Sequence, residues 1–453
     1  MIDNSAIGHK MHNLMTKLFP ICRSITGDGV RDTLKIIKRE YLPKLKIHEV
    51  RSGTKVFDWK VPPEWNVKEA YIKDKYGKKI IDFKNNNLHL VSYSIPIKKK
   101  ITKKIFLSHL HSIKNQPNAI PYVTSYYKKY WGFCVTHNER IIFKKKYRDN
   151  KDFFKVNISS SLDNKGSLSY GELLIPGKSK KEIFISTYVC HPSMANNELS
   201  GPLVAVSLAK YFSSIQQNKK TLRFIFIPET IGSITYLSRN YKKLKKNVIG
   251  GYNLTCIGDE RGYSFLPTKK GNTLSDKAAI KAFNDLRLKF KKYSFLERGS
   301  DERQYNSPGI DLPIASIMRS KYGTYPEYHT SLDNFNLVTA KGLKGGFTIV
   351  KKAISILMNN NIKNEVTTIK DNKIKKSNFP KNLILCEPQM GKRDLYPLLG
   401  TKKVNSFSRN LMNFLQYADG QNDLKNISSL IKLTTYKTNK IFKILLKKKL
   451  ISV

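Results

Sequence analysis

An α/β fold, a mainly parallel sheet flanked by helices, is predicted by three observations. From residue 172 onward, strand-length runs alternate with helical patterns, the signature of βαβ units. The runs at 182–189, 221–227 and 248–257 are almost continuously apolar and β-branched, as expected of strands covered on both faces. Each of these runs is followed two residues on by a polar side chain in a loop or helix start, the edge where open α/β sheets place their chemistry.

Ahead of the sheet, residues 6–21 and 28–44 carry Ile, Leu, Met and Phe at helical spacing, separated by the turn Thr26-Gly27-Asp28-Gly29. Between 58 and 171 the pattern changes to short strand-like runs, frequent turns and many aromatics. The runs at 88–93, 101–107, 131–135, 140–143 and 153–158 predict an inserted β-rich domain. Helices are predicted at 203–214, 233–246, 276–291 and 340–358, completing an α/β domain made of 1–57 and 172–365. A Lys/Asn-rich stretch near 359–379 then separates a third piece, 380–453. Its helical patterns at 405–417, 423–432 and 435–447 fit a winged-helix or helix-turn-helix unit.

The 453 residues are too many for one ordinary core, and 40% hydrophobic content with 24 Tyr and 22 Phe suits a globular chain. The formal charge of +48 invites a nucleic-acid partner. Lysine accounts for most of it, however, and is spread over nearly every polar stretch, so solvated surface is the first reading. Helix 435–447 carries Lys and Asn on one face, as a groove-reading helix would, but packing is the preferred role of its module. No run approaches ~18 uninterrupted apolar residues, so no membrane span is expected. The first residues lack an export signal pattern, and five scattered cysteines form no CxxC pair. A cytoplasmic protein with reduced thiols is the expectation, and oligomerisation through the inserted or C-terminal domain is open.

Four strand-end positions carry metal-binding chemistry. His191 follows the first apolar run, Glu229 the second and Asp259 the third; His329 is the one histidine beyond 191. Imidazole nitrogens with carboxylate oxygens are the donors that suit zinc, and a glutamate off the metal can take a proton from bound water. Each has an ordinary alternative: Glu229 as a helix-start carboxylate, Asp259 as a turn residue, His329 as a hydrogen-bonded loop residue.

The chain resembles an aminopeptidase-like family encoded beside polysaccharide-biosynthesis genes, within the co-catalytic zinc aminopeptidase superfamily. The resemblance rests on Arg23-Ser24-Ile25-Thr26-Gly27, Phe57-Asp58-Trp59, Pro63-Glu64-Trp65, the 121–127 and 131–134 blocks, Cys190-His191-Pro192-Ser193, the 299–305 block and the 328–333 block. It implies a peptidase-type α/β domain interrupted by a small β domain and closed by a winged helix. It also implies His191, Asp259 and His329 as zinc ligands, and an amide-cleaving reaction on a small peptide or modified-sugar precursor. Asn197 stands where the family resemblance implies a bridging aspartate, and Glu229 stands alone where two consecutive glutamates are implied. Three arrangements follow. One zinc sits on His191, Asp259 and His329 with Glu229 as base; or Glu198 or Glu229 replaces the lost carboxylate; or the fold binds without metal. One or two zinc ions are therefore compatible with the sequence.

Asp301, Arg303 and Tyr328 are candidate substrate contacts. His109 and His111, two apart, are a weaker metal or substrate pair. Tyr126, Tyr127, Tyr130 and Trp131 offer either a sugar-stacking surface or interdomain packing.

Overall fold

The computed structural model describes residues 6–149, 152–360, 379–396, 399–400 and 406–453. An eight-stranded sheet organises it. Its strands in chain order are β1 (Lys46–Arg51), β2 (Ser167–Ile175), β3 (Gly177–Tyr188), β4 (Asn218–Ile227), β5 (Val248–Leu254), β6 (Ser264–Leu266), β7 (Lys291–Lys292) and β8 (Ile314–Met318). In space they run β1-β2-β4-β3-β5-β8-β6-β7. The central block β4-β3-β5-β8 is parallel, while β1, β2 and β6 join antiparallel to their inner neighbours. All four central strands therefore end at one edge.

The unbroken apolar character of these strands has a direct cause. Ile183, Ile185, Phe224 and Phe226 face a layer built by α1 (Ile7–Leu18), α2 (Asp28–Glu40), α3 (Ser200–Ser213), α5 (Leu274–Asp285) and α6 (Ala340–Asn359). Phe184, Ile225 and Ile227 alternate to the other face, against α4 (Ile231–Asn247) and the β-rich unit. Both faces are covered, so apolar residues fill both positions of the period-two pattern, with Ser186, Thr187 and Arg223 as buried polar exceptions. Gly201 sets how closely α3 starts against the sheet. A Cβ there would lie 2.4 Å from the Leu254 carbonyl oxygen and 2.5 Å from Thr187 Oγ1.

The β-rich unit is an antiparallel four-stranded sheet in the order Lys79–Asp82, Glu64–Lys73, Phe153–Asp163, Ile97–Thr102. Strand β2 straddles the boundary expected at 171 and ladders in the large sheet. The run at 140–143 is helical, not extended. It lies within His137–Lys146, whose start is fixed by a capping box in which Thr136 and Glu139 satisfy each other's backbone N–H. The 101–107 run splits at Thr102, whose hydroxyl caps the helix Lys103–Ser108. The 88–93 run begins as a short 3-10 turn, Asn87–His89. The helix expected over 276–291 stops at Asp285, because Arg287 turns into the left-handed region.

The C-terminal module has its own core of Leu411, Phe414, Leu415, Ile427, Ile441 and Leu445. It comprises α7 (Ser406–Tyr417), α8 (Leu424–Leu430), α9 (Thr435–Lys447) and a two-stranded ladder of Lys381–Asn382 with Ile451–Ser452. Asp423 and Thr434 cap α8 and α9. Most of the Lys/Asn-rich 359–379 stretch lies outside the described residues. All five cysteines are free thiols, and among the described residues no helix is long and apolar enough to cross a membrane.

Candidate active site

Beyond β3, the chain runs through Cys190 and His191 into a single wide (π) turn, Ala195–Leu199, that feeds α3. The turn is held from outside. Buried Asp333 accepts the Asn196 N–H at 2.6 Å and the Asn197 N–H at 2.9 Å, and Tyr325 donates to it at 3.1 Å. Burial pushes the Asp333 carboxyl up to about 6, with the backbone donors acting against that rise.

The turn places Glu198 behind the histidine. His191 Nδ1 lies 2.9 Å from Glu198 Oε2, and Arg23 lies 3.3 Å from the other carboxylate oxygen. Arg23 also donates to the His191 carbonyl at 3.0 Å. Burial disfavours the imidazolium, but the Glu198 hydrogen bond and charge outweigh it and leave the His191 pKa raised. With Nδ1 occupied, Nε2 is the nitrogen turned to the cleft, 3.8 Å from Glu229 Oε2. A carboxylate fixing one imidazole nitrogen while the other faces outward is the support a metal-ligating histidine uses.

Glu229 stands beyond β4, and its side chain is 22% exposed. The next residue, Thr230, has φ 63°, a conformation that non-glycine residues enter only when held. Asp301 holds it, accepting the Thr230 N–H at 2.8 Å and the Ser233 hydroxyl at 2.7 Å. Arg303 donates to Thr230 Oγ1 at 2.8 Å and pairs with Glu387 at 3.3 Å. Burial raises the Glu229 pKa, while His191 and Arg303 pull it back. Burial and the neighbouring Glu229 charge push Asp301 up to about 7. A cleft-facing acid with a raised pKa, backed by a buried acid that is raised as well, is an arrangement suited to proton transfer.

His329 sits in a tight loop at φ 55°, stacked on Tyr328 at 4.0 Å, and its ring centroid lies 5.5 Å from that of His191. The inserted unit clasps this loop: Tyr122 donates its N–H to the His329 carbonyl at 2.9 Å, and its ring packs on both histidines. Asn197 donates its amide N–H to Tyr188, while its Oδ1 is buried without a hydrogen-bond partner among the described residues.

Asp259, expected as a ligand, is held by protein donors. Its carboxylate accepts from Asn196 Nδ2, Ser320 N, Ser320 Oγ and Arg261 N, each at 2.9 Å. Those four donors make it a strut between the π turn and the β8 loop. Among the described residues, the three-donor group whose atoms lie within 4.8 Å of one another is Cys190, His191 and Glu198, and Asp259 is not in it. Its members read best as a hydrogen-bond cluster, since Glu198 is already bonded to the ring and neutralised by Arg23.

His109 and His111 lie away from this cleft. His109 caps a helix, stacks on Trp131 at 3.8 Å and bonds the Trp131 carbonyl; His111 bonds the Tyr130 hydroxyl at 2.9 Å. Burial, with Arg140 adding to it, brings His111 down to about 4. Tyr130 and Trp131 are thus packing partners, whereas Tyr126 and Tyr127 reach the cleft.

Two cavities meet at Glu229. One, of about 200 Å³, is lined by His191, Glu229, Trp59, Tyr126, Tyr127 and Tyr396. The other, of about 410 Å³, is lined by Glu229, Arg298, Arg303, Lys321, His329 and Arg409 among others, and shares Tyr396 with the first. Tyr396, Gln389 and Gly391 come from the segment leading into the C-terminal module. That segment is tied down by Arg393 and Lys392 on Asp58, by Trp59 Nε1 to the Glu387 carbonyl at 2.7 Å, and by reciprocal Gln304–Glu387 bonds. Helix α7 is anchored through Arg298 to Asn413 at 2.7 Å and Gln416 to the Arg303 carbonyl at 2.9 Å. Three units therefore wall one cleft. Tyr396 carries no motif that a single sequence marks as part of a site, Arg23 lies in one of the blocks that carry the family resemblance, and Glu198, offered by the sequence as a replacement ligand, lies behind His191 as its hydrogen-bond partner.

A sheet of this topology with a histidine-carboxylate cleft at its C-terminal edge defines a protein of the aminopeptidase-like class. The solved zinc aminopeptidase BSAP of Bacillus subtilis shares the fold, with a TM-score of 0.58, 13% identity, and coverage of 80% of this chain and 97% of that one. Residues 12–360 match the family described as Domain of unknown function (DUF4910), and 378–453 match a winged helix-turn-helix family. The chain belongs to the DUF4910 family. A Clostridium acetobutylicum protein, provisionally named a polysaccharide biosynthesis protein with aminopeptidase-like domain, is 44% identical over 427 residues, covering 94% of this chain and 92% of that one. A crystal structure of a C. acetobutylicum protein provisionally described as a peptidase has a TM-score of 0.75 and 40% identity, covering 99% and 97% of the two chains.

Proposed function

We propose that this chain is an aminopeptidase-like metallohydrolase that cleaves an amide bond in a small peptide or modified-sugar precursor, using a single zinc ion. The observation that carries the reading is the Glu198–His191 pair, which turns a buried, oriented Nε2 toward Glu229. The donors fit one ion: His191 Nε2, the orphaned Asn197 Oδ1 and the His329 imidazole would hold it, with one position left for water or substrate. They do not fit two ions. The bridging position carries a neutral amide, and the second carboxylate, Asp259, is committed to four protein donors.

Zinc would supply a Lewis acid for the substrate carbonyl and acidify a water molecule. The chain's own residues do the rest. Glu229, whose pKa burial raises, takes the water proton at its carboxylate as the water oxygen adds to the amide carbonyl, and delivers it to the departing amine nitrogen as the C–N bond breaks. Asp301 and Arg303 position it through the strained Thr230 turn. Tyr126, Tyr127 and Trp59 form an aromatic wall that suits an apolar or sugar face. The C-terminal module serves as the roof of the cleft.

Metal analysis after chelation and zinc return tests the reading. Zinc near one equivalent, lost in His191→Ala and in His329→Ala, is the expected result. Zinc content unaltered by either substitution removes the metal from the proposal.

A further inference from the structure

The larger cavity contains charges that the proposed hydrolysis does not use. Arg298 and Lys321 line it, both more than nine-tenths buried. Among the described residues neither forms an ion pair with a carboxylate. Arg298 donates to neutral acceptors, Asn413 Oδ1, the Phe295 carbonyl at 3.3 Å and the Met412 carbonyl at 3.1 Å, and its Nε has no hydrogen-bond partner. Lys321 donates to the Tyr322 carbonyl at 3.2 Å and lies over the Tyr322 and Tyr293 rings. Burial pushes both cations below their ordinary pKa values.

Of the acids that line the cavity, Glu229 is the one assigned to proton transfer, and the others are held by neighbouring groups. Glu387 is paired with Arg303, and Glu297 caps its own turn at Ser294. Glu302, close by, accepts from Gly299 N, Ser300 N, Tyr322 OH, Asn253 and Ser316. The Glu387, Glu297 and Glu302 charges act on the two cations from beyond ion-pairing distance; burying a charge without a contacting partner is costly, and a fold tolerates it where a ligand supplies that contact.

We infer that this cavity is an oxyanion subsite, in which Arg298 and Lys321, with Arg409 at the rim, bind a carboxylate or phosphate group of the substrate. The inference rests on reading the cleft as a substrate site, and it narrows the substrate class. The molecule is an anion whose charged end lies in the 410 Å³ cavity, whose less polar end meets the aromatic wall, and whose scissile bond lies between them at Glu229.

The test is thermal stabilisation of the full, chelator-treated chain by inorganic phosphate and by glutarate at constant ionic strength. Constant ionic strength is needed because a net charge of +48 attracts any anion non-specifically. Working without zinc separates this outcome from that of the metal proposal. Saturable stabilisation by one of the two is expected, and which one it is assigns the group as phosphate or carboxylate. Lys321→Met should weaken that binding about tenfold or more, the size of a lost charge-assisted bond. Without anion the same variant should melt no lower than the native chain, since it removes a buried charge that no carboxylate contacts. Arg409→Gln, at an exposed position that leaves the core intact, should weaken binding by a smaller factor. The subsite is overturned if neither anion gives a saturable shift, or if both variants respond to the anion as the native chain does.

Discussion

Arg23 and Glu198, wholly buried and 175 positions apart in the chain, meet at 3.3 Å directly behind the His191 imidazole. Their pairing joins the N-terminal helical layer to the π turn of the site. Glu198→Gln leaves the guanidinium without its counter-charge and should cost about 3–5 kcal/mol of stability. It should also lower zinc affinity roughly 10–100-fold, because the ring loses the support that orients it. Urea denaturation of metal-free protein and a zinc competition assay measure the two effects separately. Adding Arg23→Met should recover much of the stability and none of the zinc affinity.

Asn197→Asp supplies the negative charge that the site lacks. Zinc affinity measured by chelator competition should rise roughly tenfold, comparable to the effect of tuning a ligand's environment. An unchanged or weaker affinity would show that residue 197 does not touch the metal.

Asp301 gives a pH signature with a definite sign. Its carboxyl is raised from 3.8 to about 7, so the native state holds a proton that the unfolded chain releases in between. Its contribution is complete below about 4 and is lost as pH rises toward 7. Asp301→Asn abolishes that titration. The melting temperature of the variant minus that of the native chain should therefore increase steadily across this window, and a flat difference would refute the raised pKa.

Gly201→Ala places a methyl group against the Leu254 carbonyl and Thr187. Helix α3 must lift from β5, at a cost of about 1–3 kcal/mol or more. The denaturation midpoint reads the cost, and zinc affinity should fall with it because the π turn moves with the helix.

Asp58→Ala removes the acceptor for Gln389 N, Lys392 and Arg393. The 387–393 segment should detach more often, seen as faster cleavage there by a trace of protease and a loss of about 2 kcal/mol. Equal cleavage rates would show that other contacts alone hold the roof.

The sheet was legible because its signal is local: three apolar runs of strand length, each followed by a helix pattern, require covering on both faces. The helix at 137–146 was misread because Ile141, Ile142 and Phe143 look like a strand in isolation. The Thr136–Glu139 capping box outweighs them, and Ile142 is left exposed. The grouping of His191, Glu229 and His329 around one cleft could be anticipated because each follows a strand or sits in a distinctive polar loop. The hydrogen-bond environment of Asp259 could not, since its four backbone and side-chain donors come from loops far apart in sequence. The same holds for Tyr396 and Arg298, whose meaning arises only when α7 docks.

That docking has a consequence for how the protein comes into being. Residues near 23 and near 396 border the same cleft. A chain emerging from the ribosome therefore exposes His191 and Glu229 long before the roof that encloses them is synthesised. The complete cleft requires a segment made well after His191 and Glu229, so a chain cut between α6 and α7 should keep its sheet while leaving both residues open to water.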